Sequence, residues 1–254
     1  MRNLLWALLA LPIFPACSLP TLQAHAGYAQ LSLDGDLGYV NGTSAVAVRQ
    51  DLESGFGLGD AQGSPVVRAV LDVGVPVFSV SAFQFSDEGT GNLTADFGDL
   101  TPGSQPSLPV RSELDMFNVK GAYAFDIGIG PVSIQPGIAV DYFDLQIKVQ
   151  DGFGAVTENV DLNAPIPLGF LRAEVDLSVV RGVAEVGYMA IDIEDVDASL
   201  LDLEAMLVVN PVSVLELFVG YRYLNLQVDG EIDNDTFDTD LTISGFMIGG
   251  GITF

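Results

Sequence analysis

The chain has 254 residues, 49% of them hydrophobic, with 34 acidic against 9 basic side chains and a formal charge of −25. That charge repels nucleic acid and anionic membrane surfaces and so excludes both as partners bound through charge. A mean hydropathy of +0.40 in so acidic a chain requires the acids to be segregated from the apolar positions.

At the amino-terminus Arg2 precedes an apolar run from Leu4 to Ala16, and Ala24-His25-Ala26 has the small-x-small form of a signal-peptidase site. The run is too short to span a bilayer. Residues 1–26 are therefore expected to be an export signal and residues 27–254 the folded unit. Their removal takes Arg2 and no acid, which moves the charge from −25 to −26. Phe14-Pro15-Ala16-Cys17 offers a looser alternative, a lipoprotein-type cut with Cys17 acylated. A cut after Ala26 removes both Cys17 and His25, the only cysteine and the only histidine. The mature chain is then expected to form no disulfide, and histidine-dependent hydrolysis and most zinc sites are excluded.

No later stretch reaches the roughly 18 uninterrupted apolar residues that a membrane helix needs, so any crossing is made by strands. Ten strands are expected, near 28–40, 66–74, 77–87, 112–129, 132–149, 168–180, 183–194, 200–209, 212–228 and 241–254. Eight is the alternative count, because a long glycine-rich piece separates the first strand from the second. Short uncharged turns at Gly74-Val75-Pro76, Gly130-Pro131, Val180-Arg181-Gly182 and Asn210-Pro211 alternate with acidic connections near 41–65, 88–111, 149–167 and 229–240, and a shorter one near 194–199. The expected fold class is all-β: a single antiparallel up-and-down transmembrane β-barrel with short periplasmic turns and long acidic extracellular loops.

Descending strands alternate cleanly. Leu171, Ala173, Val175, Leu177 and Val179 share one face, opposite Arg172, Glu174, Asp176 and Ser178. On four ascending strands the apolar phase reverses partway, at Ala82/Phe83, Tyr142/Phe143, Ala190/Ile191 and Tyr223/Leu224. One inserted residue exchanges the two faces of a strand, so a β-bulge is expected near each reversal. The alternative is that the strand leaves the bilayer there and its upper residues fill a core. The chain ends on a strand whose Phe246, Ile248, Ile252 and Phe254 share one face, suited to lipid and to closing a barrel.

Lumenal positions on these strands carry Arg68, Lys120, Arg172 and Arg222 together with Asp72, Asp126, Asp141, Glu174, Asp176, Glu185, Glu204 and Glu216. Four bases spread over four strands suit cross-lumen pairing, and a salt-bridged plug is expected in preference to an acid-walled pathway. The connection from Asp229 to Asp240 holds six carboxylates and no base. Asp233, Asp235, Asp238 and Asp240 are its weak candidates for hard divalent cations, since the spacing and terminal glutamate of an EF-hand are missing. No cofactor motif and no catalytic constellation is found.

The mature chain resembles a family of small, mostly uncharacterised outer membrane β-barrel proteins of Gram-negative bacteria. The resemblance is carried by Asp161-Leu162-Asn163-Ala164-Pro165-Ile166-Pro167-Leu168, by Val219-Gly220-Tyr221-Arg222-Tyr223-Leu224, and by the acidic loop leading to Phe254. It implies residence in the outer membrane, contact with its lipid, and reading of Phe254, Ile252, Ile248 and Phe246 by the barrel assembly machinery during insertion. The function expected is a non-catalytic barrel serving envelope integrity or surface interaction, with a narrow channel for cations or small solutes as the alternative. Omptin proteases share a ten-stranded architecture but use a histidine that no position after residue 26 supplies. A soluble lipocalin-like barrel would instead bury its apolar side chains and present polar outer faces.

Overall fold

The computed structural model describes residues 20–42, 47–193, 196–232 and 235–254. Twelve extended segments follow one another: β1 (Thr21–Asn41), β2 (Gln50–Asp51), β3 (Gln62–Asp72), β4 (Pro76–Leu93), β5 (Leu108–Phe125), β6 (Ile127–Ile129), β7 (Val132–Asp151), β8 (Thr157–Asp176), β9 (Val180–Ile193), β10 (Val196–Val212), β11 (Leu215–Ile232) and β12 (Asp235–Thr253). Ten are long, and β2 and β6 are short pieces paired with β1 and β7. The long strands pair antiparallel with their neighbours, and β12 returns to β1 from Gln23↔Thr253 up to Asn41↔Asp235, closing the barrel. Closure removes the edges that an open sheet would expose. Leu22 and Phe254 complete the seam with reciprocal backbone hydrogen bonds of 3.0 and 2.9 Å.

The periplasmic turns are as short as expected. Gly74 and Gly130 take φ of +103° and +66°, a region that glycine enters without steric cost. Ser178 turns with φ +73°, and its N–H donates to Asp176 Oδ1 at 2.7 Å.

Two expectations change, and the start of β1 adds a third observation. First, the ladders run through Ala82/Phe83, Tyr142/Phe143, Ala190/Ile191 and Tyr223/Leu224 without a register shift, so none of the four carries a bulge. The side chains keep alternating; it is the surroundings that invert. On β7, Val132, Ile134, Ile138, Val140 and Tyr142 face outward and exposed, whereas above them Phe143, Leu145, Ile147 and Val149 are buried inside. Ile138 is 66% exposed and Phe143 is 1% exposed on the same strand. The outward apolar stretch from Val132 to Tyr142 matches the roughly 9–11 residues that a tilted strand needs to cross a bilayer. The phase reversal therefore marks the outer membrane boundary, with Tyr142, Tyr188 and Tyr221 near it in the manner of an aromatic girdle.

Second, the strands continue above this boundary as a crown with an apolar core and a polar exterior. Leu31, Leu33, Phe83, Phe85, Leu114, Leu224, Leu226 and Ile243 fill it. The connections expected at 88–111, 149–167 and 229–240 are correspondingly shorter, because β4, β5, β7, β8, β11 and β12 extend into them. Acidic side chains point outward from paired strands there, which alternation accommodates as readily as a loop does.

Third, β1 begins at Thr21, before the expected boundary at residues 26 and 27. Ala24 pairs with Ile252 and Ala69, and Ala26 with Gly250 and Val67. The apolar run and Cys17 lie outside the described residues.

Candidate functional site

Below the boundary the faces are reversed: lipid-facing side chains are apolar and inward ones are charged. Arg68 on β3 lies between Glu185 on β9 and Glu204 on β10 and bonds to both. Lys120 on β5 reaches Asp202 at 2.6 Å and Glu185 at 3.6 Å. Arg222 on β11 contacts Asp202 at 3.2 Å, Glu204 at 3.4 Å and Asn118 Oδ1 at 3.3 Å, and stacks over the Phe83 ring at 4.3 Å. Arg172 on β8 meets Glu174 at 2.7 Å and Glu185 at 3.7 Å. Asp141 accepts from Asn118 Nδ2 at 2.5 Å. These groups come from strands on opposite sides of the barrel, so the pairing crosses the lumen. A charge placed there without partners would cost several kcal/mol, about 3–5 when one partner of a buried pair is deleted.

Of the twelve expected lumenal residues, the structure brings Arg68, Lys120, Asp141, Arg172, Glu174, Glu185, Glu204, Glu216 and Arg222 into this cluster. Asp72, Asp126 and Asp176 are corrections. They sit at the periplasmic rim, where Asp72 accepts from the Gly74 N–H, Asp126 from Ser133 Oγ and Asp176 from the Ser178 N–H. Short acids next to tight turns bond to the turn itself.

The residues missed are Asp202, Arg181 and His25. Asp202 is fully buried and holds both Lys120 and Arg222; its two-residue spacing from Glu204 was the available signal. Arg181, expected in a turn, lies in β9 and reaches Glu216 at 2.9 Å. His25 was placed in the removed segment. In the barrel its Nε2 lies 2.5 Å from Glu216 Oε2, and its ring stands edge-on to Phe218 at 5.6 Å. In a chain that keeps residues 1–26 the one histidine is therefore engaged with Glu216.

The charged layer of the lumen is tightly filled. A cavity of about 20 Å³ among His25, Arg68, Glu204, Phe218 and Arg222 has room for about one water. Higher up, a void of about 10 Å³ lies among Leu33, Phe143, Leu224 and Ile243. The charged layer thus plugs the barrel below the apolar core of the crown.

The outward surface of the lower half supplies the last observation. Phe246, Ile248, Ile252 and Phe254 are all exposed, Phe246 by 74%, on a strand whose opposite face is packed. Together with the closed ring and the apolar belt, this decides the architecture. The chain folds as an outer membrane β-barrel. The outer membrane protease OmpT of Escherichia coli is similar in fold, with a TM-score of 0.53 at 8% identity over 92% of this chain and 96% of that one. The translocator domain of the autotransporter NalP from Neisseria meningitidis gives 0.41 at 11% identity, covering 94% and 91%. Ail of Yersinia pestis gives 0.37 at 10% identity, covering 93% and 100%. No family model matches the chain, and no curated protein matches it in sequence. The likeness to OmpT is one of overall fold.

The carboxylates considered for cations do not converge. Asp233 lies outside the described residues. Asp235 accepts from Tyr39 Oη at 3.2 Å, Asp238 pairs with Arg49, and Asp240 accepts from Asn225 Nδ2 at 2.7 Å and Gln227 Nε2 at 3.0 Å. No group of three potential metal ligands is found among the described residues.

Proposed function

We propose that this barrel is a closed, non-catalytic outer membrane protein whose crown, standing above the membrane, serves envelope integrity or surface interaction. The observation that carries the reading is the cross-lumen pairing of Arg68, Lys120 and Arg222 with Glu185, Asp202 and Glu204 around a cavity of about 20 Å³. A conducting path needs a continuous hydrated lumen, and the paired charged layer speaks against one. The buried acids and bases are engaged with one another, which leaves them poorly suited to act on an entering substrate. The exposed row Phe246, Ile248, Ile252 and Phe254 suits recognition by the assembly machinery during insertion.

Purified barrel added to planar bilayers tests this. The expected result is heat-sensitive, folded migration on detergent gels together with little steady conductance. Large, reproducible cation-selective steps from the same preparation would overturn the reading in favour of a channel.

A further inference from the structure

The crown is sealed everywhere along its described wall except between β8 and β9. Their ladder ends at Gly169↔Tyr188. Above it, β8 runs on from Leu168 to Thr157 paired with β7 alone, and β9 from Met189 to Ile193 paired with β10 alone. The seam beside β3 also ends early, at Val66↔Phe83, but there the chain supplies its own filler. Leu52, Phe56, Leu58, Phe97 and Leu100 are buried in that gap. A Cβ at Gly89 would lie 1.8 Å from the Gly57 carbonyl oxygen, so closely do filler and wall approach. No described segment does the same between β8 and β9.

The β8 sequence accounts for the opening. Proline has no N–H to give a ladder and is confined to sheet edges. Pro165 and Pro167 are two apart, so both withhold donors from the same side of the strand. The β7 ladder passes through both at Tyr142↔Pro165 and Val140↔Pro167, whereas the β9 ladder never reaches them.

Behind the opening lies a cavity of about 420 Å³, within the range of about 300–1,000 Å³ typical of small-molecule sites. Its walls are largely apolar, with Leu145, Leu162, Leu226 and Phe237 among them, and its polar lining includes Asp161 and Asn163 of β8. Leu162, Ile166 and Met189, on the two strands that flank the opening, pack against the crown core and are only partly buried. The lower edge of the opening, Gly169 and Tyr188, lies at the membrane boundary. Phe143 and Leu168, near that edge of the crown core, are buried. The cavity reaches from Ala164, beside that boundary, to Asp235 at the start of β12, and no basic residue lines it.

We propose that this cavity binds the aliphatic chain of a single-chain amphiphile with an uncharged or cationic head group, entering from the outer face between β8 and β9. Apolar walls take the chain, and Asp161 with Asn163 at the mouth favours those heads over a carboxylate or phosphate.

The test uses the full barrel in lipid nanodiscs, titrated calorimetrically with decyltrimethylammonium below its micelle-forming concentration. Decanoate and tetramethylammonium serve as head and chain controls, and empty nanodiscs as the background. Saturable binding of one decyltrimethylammonium per barrel is expected, with both controls at least tenfold weaker. Ala164→Phe, which fills the cavity, and Pro165→Thr/Pro167→Val, which restores donors to β9, should each weaken binding at least tenfold. Heat-sensitive migration verifies that each variant is folded, and the proline pair decides if Ala164→Phe does not fold. Partition no greater than into empty nanodiscs, equal binding of decanoate, or folded variants that bind like the parent would overturn the proposal. Binding is read independently of conductance, so its failure leaves the closed-lumen reading untouched.

Discussion

Arg68→Met separates a dry lumen from a wet one. Arg68 is 8% exposed and is the guanidinium shared by Glu185 and Glu204. Its removal leaves Glu204 with Arg222 at 3.4 Å, and Glu185 with Lys120 at 3.6 Å and Arg172 at 3.7 Å, all longer contacts. If the lumen excludes water, stranding these carboxylates should lower the unfolding free energy by about 3–5 kcal/mol. In a hydrated lumen the same pairs would behave like surface ion pairs, worth about 0–1 kcal/mol. Urea unfolding of barrel refolded in phospholipid, extrapolated linearly, reads the difference. Arg68→Met/Glu204→Gln should recover part of the loss, because it removes a charge of each sign. A loss below about 1 kcal/mol for Arg68→Met, additive with Glu204→Gln to within about 0.5 kcal/mol, would refute the dry plug.

The boundary between membrane and crown predicts opposite responses on one strand. Ile138→Arg in the apolar belt should cost about 2–4 kcal/mol, and Gln146→Arg above it no more than about 0.5; equal costs in the same urea assay would misplace the boundary. Burial, and then the Asp235 carboxylate, push the Tyr39 phenol in the crown up to about 12. A raised pKa means that its stabilising contribution is complete below the ordinary value of about 10 and is lost as pH rises through the folded value. Tyr39→Phe should therefore remove the latest-titrating phenol from an ultraviolet titration and flatten the alkaline loss of stability, and an unchanged curve would contradict the assignment. A chain starting at Gly27 lacks Gln23, Ala24, His25 and Ala26, each of which pairs with both β3 and β12. It should unfold at lower urea than a chain starting at Thr21, and coincident transitions would show that this end of β1 contributes nothing.

Much of the barrel could be read from residue order because its rules are local. Val175 and Leu177 against Arg172 and Glu174 already give two unlike faces, and Gly74 and Gly130 give tight turns, whereas the turn expected at Asn210-Pro211 lies just beyond, after β10 ends at Val212. The reversal at Tyr142/Phe143 was visible too, but a one-dimensional pattern cannot tell a change of face from a change of surroundings. A bulge and a membrane boundary write the same alternation, and only the unbroken Val119↔Tyr142 and Asn118↔Phe143 pairing separates them. Asp233, Asp235, Asp238 and Asp240 read as a loop for a similar reason, since acidic side chains on the wet face of a crown strand and in a loop look alike in sequence. In sequence Pro165 and Pro167 carry only a family likeness, because their effect depends on which neighbour goes without donors.

Composition and period-two alternation suffice for strands, for a closed antiparallel ring and for an apolar belt ending at Phe254, because each follows from residues near one another in the chain. The partners of Arg68, the burial of Asp202, the place of His25 beside Glu216 and the gap between β8 and β9 depend on barrel radius, stagger and closure. Those bring together residues more than a hundred positions apart, as Arg68 and Glu204 are, and a charge has no partner until the ring has closed around it.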